Sequence, residues 1–389
     1  MSQQEYRQQF PALADKAYFN YGGQGPMPRV ALDAIHQAYD RIQEIGPFSG
    51  KSYDWVKQQT QQTREAIANE LGVAAATITL TEDVTVGCNI PLWGIDWQPG
   101  QHLLLTDCEH QGIVAAVGEL QHRFGIEVSI APLMETLNEG DPVAVLERSL
   151  QPNTRLVVLS HILWNTGQVL PLADIVRVCH NFSTHGQPVR VLVDAAQSVG
   201  VLPLNLAETG VDFYAFTGHK WWCGPEGAGG LYISPEARAC VRPTFIGWRG
   251  ITIDKKGTPT GYEPGGKQFE IATSAYPLYA GLQAAIDFHH QWGTTEERYD
   301  RLCHQSGQLW EKLTQIPQVT CLKAQPPAAG LVSFTIAGGK HQNLVEFLES
   351  RNVFVRTILN PNCVRACAHY FTTDTEIDRL VKGIQEFVG

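Results

Sequence analysis

Val189-Arg-Val-Leu-Val-Asp194-Ala-Ala-Gln197 opens as an apolar run and stops on a carboxylate. A strand with one wet face alternates apolar and polar side chains, whereas a strand covered on both faces reads as a continuous apolar run. Arg155-Leu-Val-Val-Leu-Ser160 has the same character. The two runs point to a mostly parallel sheet covered by helices on both sides. Working outward, the other strand candidates are Thr77–Thr81, His102–Thr106, Glu127–Ala131, Phe213–Phe216 and Gly230–Ile233, which makes a seven-stranded sheet. Helical periodicity falls between or before them at Arg29–Ile45, Trp55–Leu71, Ile113–Phe124 and Leu172–Phe182.

The last third reads differently. Helices are expected at Tyr276–Trp292 and Thr295–Leu313, then strand Leu331–Ile336, helix Asn343–Ser350, strands Val353–Thr357 and Val364–His369, and a closing helix from Asp374. This α+β pattern implies a smaller C-terminal domain. The expected division is a large α/β domain over residues 16–265 and a small domain from residues 1–15 and 266–389. The Gly/Pro/Lys-rich stretch Asp254–Lys267 is the best candidate for a mobile loop. No internal repeat is evident.

With 389 residues the chain is long enough for two or three cores. Its net charge of −10 disfavours nucleic acid, whose affinity rests on Lys and Arg meeting phosphates. No apolar run is long enough to span a bilayer, and Met1–Phe10 lacks a signal-peptide core, so no membrane partner is expected. The nine cysteines show no CxxC pair or disulfide framework, which suits a reduced, cytoplasmic setting. No metal site is expected, although Asp107-Cys108-Glu109-His110 contains residue types that also bind metals.

Two motifs carry the chemistry. In Phe216-Thr-Gly-His-Lys220-Trp-Trp-Cys-Gly-Pro-Glu-Gly-Ala-Gly-Gly, a lysine follows a strand and precedes a glycine-rich turn. A lysine amine held unprotonated can form a Schiff base with a carbonyl. Thr217 and His219 place donors beside it that suit a phosphate. The glycine spacing fails the dinucleotide fingerprint. In the opening stretch, Asp194 ends a buried strand, where ligands of α/β sheets bind. A carboxylate there can hold the proton of a pyridine nitrogen; it can equally cap the next helix.

Taken together, Asp194-Ala-Ala-Gln197 and Thr217-Gly-His-Lys220 with Gly224-Pro-Glu-Gly227 resemble the class V branch of fold-type I pyridoxal 5'-phosphate (PLP) enzymes. That branch includes cysteine desulfurases, cysteine and cystine lyases, kynureninase and isopenicillin N epimerase. The resemblance implies an aspartate aminotransferase-like fold, PLP on Lys220, Asp194 at the ring nitrogen and Gln197 at the ring hydroxyl. It implies that His110 stacks on the ring and that Val84 and Thr85, in Thr81-Glu-Asp-Val-Thr85, receive the phosphate at a helix start. Phe269-Glu-Ile-Ala-Thr273 resembles a family motif whose Thr reaches the phosphate of a neighbouring subunit. A homodimer with sites at the subunit interface is therefore implied, although Ala272 stands where the family has Gly. Arg365 matches the arginine that grips the substrate carboxylate, with Arg356 on the preceding strand as a second cation. Asn20, Tyr21 and Gly22 match the family's opening loop along the substrate pocket.

Two departures separate the chain from a desulfurase. The link from Arg356 to Arg365 is too short for a flexible loop bearing a nucleophilic cysteine, and Cys363 sits beside Arg365 on its strand. Trp164 replaces the usual Asn, and with Trp248 it adds aromatic wall to the substrate side. With Lys220, His110 and Asp194 as the catalytic set, the expected activity is a PLP-dependent C–S lyase. It would eliminate the sulfur of cystine, and more weakly of cysteine, to leave pyruvate, ammonia and a persulfide or sulfide. An iron–sulfur acceptor protein is an expected partner. A cysteine desulfurase, an epimerase and a kynureninase-like enzyme are the alternatives.

Overall fold

Seven strands form one sheet: β1 (Ile78–Thr81), β2 (His102–Thr106), β3 (Glu127–Ala131), β4 (Thr154–Ser160), β5 (Arg190–Asp194), β6 (Phe213–Thr217) and β7 (Gly229–Ile233). The computed structural model describes residues 3–184 and 186–389. The strand order is β1-β7-β6-β5-β4-β2-β3, and only β7 runs antiparallel to its neighbours. The seven expected runs all become strands of this mostly parallel sheet.

The central strands are apolar on both faces because both faces are covered. Leu104, Val157, Leu159, Val191, Val193 and Phe216 enter one apolar cluster. Leu103, Leu105, Leu156, Val158, Leu192 and Phe213 enter the other. Each such side chain, fully removed from water, contributes about 1.5–3 kcal/mol against the entropy of ordering the chain.

Local signals set the helix ends. Ser49 accepts from the Ser52 N–H to start helix Gly50–Leu71, and Gly72 ends it in the left-handed conformation at φ 64°. Asp83 caps Val84–Gly94 by accepting from the Val86 N–H, and the His110 ring accepts from the Gly112 N–H to start Gln111–Phe124. Helix Tyr276–His290 packs across Arg29–Ile45 and Gly50–Leu71.

A second sheet follows, built of β8 (Val319–Cys321), β9 (Leu331–Ile336), β10 (Arg356–Ile358) and β11 (Cys363–Cys367). Its order is β8-β9-β11-β10, antiparallel throughout. Helices Thr295–Thr314, His341–Glu349 and Asp374–Val388 bury Leu309, Leu344, Leu348 and Ile377 against it. Both long helices begin with capping boxes, Thr294 with Glu297 and Thr373 with Glu376.

One expectation changes here. The run Val353–Thr357 is two strands, because its halves find different partners. Val353–Phe354 pairs with Ala17–Tyr18, and Arg356–Ile358 pairs with β11. The Asp254–Lys267 stretch carries a hairpin strand, Pro259–Tyr262, paired with Ile251–Ile253. Asp254 closes the turn by accepting from the Lys256 and Thr258 N–H groups. Among the described residues no helix is long and apolar enough to cross a membrane.

Candidate active site

The carboxyl ends of β2, β4, β5 and β6 converge on one cavity of about 190 Å³. Each strand end delivers a polar group: His110 beyond β2, Ser160 on β4, Asp194 on β5, and His219 and Lys220 beyond β6. Helix Val84–Gly94 points its amino end into the same space, with Asp83, Val84 and Thr85 on the wall. Free N–H groups at a helix start favour an anion.

Asp194 is buried, and its Oδ1 accepts from the Ala196 N–H at 3.0 Å. Gln197 is held from both ends. Its Oε1 accepts from Trp221 Nε1 at 2.9 Å, and its Nε2 donates to the Gly22 carbonyl at 2.9 Å. Lys220 lies half-buried in a tight turn in which the Cys223 N–H donates to its carbonyl, with Cys223 at φ 52°. Burial, then Arg365 and Arg356, lower its amine from 10.5 to about 8, although Asp194 acts the other way. Burial also lowers the His110 imidazole, with Asp194 opposing and Lys220, Arg356 and Arg365 reinforcing. Both bases are therefore biased toward the neutral form that accepts a proton.

The second sheet supplies the opposite wall. Arg356 and Arg365 are direct register partners on β10 and β11, so their side chains leave the same face. Arg365 is 1 % exposed. Its Nη1 donates to the Trp164 carbonyl at 2.7 Å, while Nε and Nη2 have no partner. Each buried donor left unmade costs about 1–3 kcal/mol. Burial pulls the Arg365 pKa down, with Cys367 opposing, and the group remains a cation in the neutral range.

The loop Tyr21-Gly-Gly-Gln-Gly-Pro26 closes the gap between the two walls. A Cβ at Gly22 would meet Arg365 Cζ and Nη2 at 2.9 Å, so a side chain there would displace the guanidinium. A Cβ at Gly25 would lie 2.1 Å from the Lys220 carbonyl, and the Gly25 N–H donates to the His219 carbonyl at 2.8 Å.

Eleven of the residues singled out in the sequence line this cavity: Gly22, Val84, Thr85, His110, Trp164, Asp194, Gln197, His219, Lys220, Arg356 and Arg365. Five lie elsewhere. Thr217 is buried behind the wall, where its hydroxyl bonds to His219 Nδ1 at 2.6 Å. Tyr21 turns into the core and stacks on Trp221 at 6.0 Å, and Asn20 bridges to Cys367. Thr273 lines a separate cavity that shares Thr85. Trp248 is 56 % exposed, next to exposed Phe245 and Ile246. The sequence reading passed over Ser160, Asp83, Ile113, Ile162 and Ala196 as wall residues. Ser160 carried the same signal as Asp194, a polar residue ending a buried apolar strand. Among the described residues no group of three or more His, Cys, Asp or Glu is arranged to hold a metal ion.

A fold with its ligand site at strand ends, a depressed lysine and a facing carboxylate defines a class of enzyme, and residues 17–380 match the family Aminotransferase class-V. The chain belongs to that family. It is 26% identical over 412 residues to a probable cysteine desulfurase of Methanothermobacter thermautotrophicus, covering 100% of this chain and 99% of that one. It is 52% identical to the cystine C–S lyase C-DES, whose complex with its reaction product, cysteine persulfide, superposes with TM-score 0.95 over 97% of this chain and 99% of that one. A mutant of C-DES with glycine covalently linked to its PLP cofactor is also 52% identical, with TM-score 0.96 over 98% and 99%.

Proposed function

We propose that this class-V enzyme is a PLP-dependent C–S lyase that eliminates the sulfur of cystine. The residues present fit the cofactor. A lowered lysine faces a buried carboxylate across one cavity, and the amino end of Val84–Gly94 offers N–H groups for a phosphate. When bound, PLP supplies an aldehyde for amine attachment and an electron-withdrawing ring that stabilises negative charge at the substrate α-carbon.

The chain's own residues do the rest. Lys220 would anchor the cofactor through Nζ, and the same amine, when free, would take the substrate α-proton. With its pKa near 8, a usable fraction of the amine is neutral at physiological pH. Asp194 would hold a proton on the cofactor's ring nitrogen, Gln197, fixed by Trp221, would hydrogen-bond its ring hydroxyl, and His110 would cover it from the substrate side. Arg365 takes the substrate carboxylate with its free Nε and Nη2, oriented by the Trp164 carbonyl. As the α-proton leaves, its electron pair forms a double bond to the β-carbon. The carbon–sulfur bond breaks, and its electrons depart on a persulfide. The released enamine hydrolyses to pyruvate and ammonia.

Cystine carries two carboxylates, and the paired arginines on β10 and β11 are the observation that carries this substrate. Cysteine is expected to react more slowly, because hydrosulfide leaves less readily than a persulfide. Elimination is favoured over sulfur transfer because Cys363 lies within β11, where burial raises its thiol to about 11. A homodimer in which Thr273 and Trp248 reach the partner's site accords with the exposed apolar surface of Phe245, Ile246, Trp248 and Ile271. We further propose a cytoplasmic setting and an iron–sulfur acceptor protein as the destination of the released sulfur. Purified holoenzyme given cystine should release pyruvate and ammonia, and faster than with cysteine. Alanine in place of pyruvate from cysteine would instead support the desulfurase reading.

A further inference from the structure

Glu109 is a buried carboxyl that the mechanism above does not use. It lies between the ends of β2 and β4, just before His110. Its Oε1 takes two donors, the Thr106 hydroxyl and the Ser160 N–H at 3.1 Å, which fill both lone pairs of a carbonyl oxygen. Its Oε2 has one neighbour, the Ser160 hydroxyl at 2.9 Å, a group able to donate or accept. No cation pairs with Glu109 among the described residues. Across Ser160 stands Asp194, the register partner of Ser160 on the adjacent strand. The other titratable groups around it are Cys88 from helix Val84–Gly94 and its loop neighbours Asp107, Cys108 and His110.

We propose that Glu109 is a positioning residue that stands beside Asp194 as a neutral carboxylic acid and donates its proton from Oε2 to Ser160 Oγ. The asymmetry of its contacts is that of an acid, with one oxygen saturated as an acceptor and the other facing a single hydroxyl. Of two carboxyl groups side by side in a buried wall, the one with no cation beside it is the one that holds its proton. Asp194 opens to the cavity and to Lys220, whereas Glu109 faces only hydroxyls and N–H groups, so Glu109 keeps the proton. Ser160, turned into an acceptor on that side, is then free to direct its own hydroxyl proton into the cavity it lines. Were Glu109 to ionise, Ser160 would turn back toward it and a second negative charge would appear beside Asp194. Burial first, with Asp194 adding to it, raises the Glu109 carboxyl to about 8 in support.

This inference rests on the reading of Asp194 as the charged partner of the cofactor, yet its test needs no cofactor. A carboxyl with a raised folded pKa contributes stability that is fully present below its unfolded value and lost as pH rises through the folded one. In cofactor-free protein, the Tm of wild type minus that of Glu109→Gln, which stays neutral, should fall steadily from about pH 5 to about pH 8. A flat difference overturns the proposal. Carbon-13 NMR of labelled wild-type glutamates offers the same test without a mutant, since one buried carboxyl should titrate in the neutral-to-alkaline range. A set titrating wholly below about pH 6 overturns it. In holoenzyme, Glu109→Ala should lower kcat at least tenfold, with Glu109→Gln rescuing it and removing a limb of the pH profile near pH 8. Loss of activity in Gln equal to that in Ala means that the carboxylate anion is required, and it too overturns the proposal. Failure of cystine turnover with an intact Tm slope would indict the substrate assignment alone.

Discussion

The two walls of the cavity are finished in different ways. On the large-sheet side, Asp194, Gln197, Glu109 and the Lys220 turn are tied to the backbone or to one another by hydrogen bonds within the protein. On the small-sheet side, Arg365 is equally buried yet keeps Nε and Nη2 unpaired. A site that must perform the same proton transfers at every turnover benefits from groups that cannot reorient. A site that must recognise a ligand anion needs donors whose partner arrives with the ligand. On the proposed function, the first wall would carry reaction type and the second substrate choice.

Substitutions on the first wall should remove turnover without altering substrate preference. Lys220→Ala should be the most severe, folding normally but losing roughly 10²–10⁴-fold or more in kcat, the range of a lost general base. Persistence of wild-type turnover would break the assignment. Asp194→Asn, which cannot hold a ring proton with a full charge, should cost on the order of 10²-fold in kcat with the cofactor still bound. An Asn variant within threefold of wild type would show that the carboxylate is a helix-cap feature only.

Substitutions on the second wall should act on binding. Arg365→Ala should weaken substrate by about 2–5 kcal/mol, read as a raised KM, because a buried carboxylate loses its charged partner. A fall in kcat at constant KM would move Arg365 to the first wall. Arg356 is exposed, so its loss should cost at most about 1 kcal/mol. Arg356→Ala should hurt cystine more than cysteine. Equal losses would mean that both arginines share one carboxylate.

The same division governs what could be read from sequence. Strands β4 and β5 announced themselves because burial on both faces leaves no alternation, and Asp194 stood out at the end of one of them. Ser160 ended the other and offered the same cue. Arg365 was reached only through resemblance, since nothing local separates it from Arg351 or Arg379 on the surface. Tyr21 was placed correctly in the chain, but its ring stacks on Trp221, which arrives from a distant segment, and neither Tyr21 nor Asn20, whose backbone bridges to Cys367, is on the cavity wall. Val353–Thr357 read as one strand because β-propensity does not reveal that its halves pair with different partners. Trp248 and Thr273 lie outside the cavity of their own chain; for Thr273 the resemblance implied a neighbouring subunit's phosphate, while Trp248 was expected on the substrate wall of its own chain.

The central claim is elimination without a protein thiol, and it is tested most directly by the three-carbon product formed from cystine by the Cys363→Ala variant. The account predicts pyruvate, with turnover within roughly threefold of wild type, because a buried strand cysteine with a raised pKa takes no part in the reaction. Alanine as the main product of wild type, lost in Cys363→Ala together with a persulfide on the protein, would contradict it.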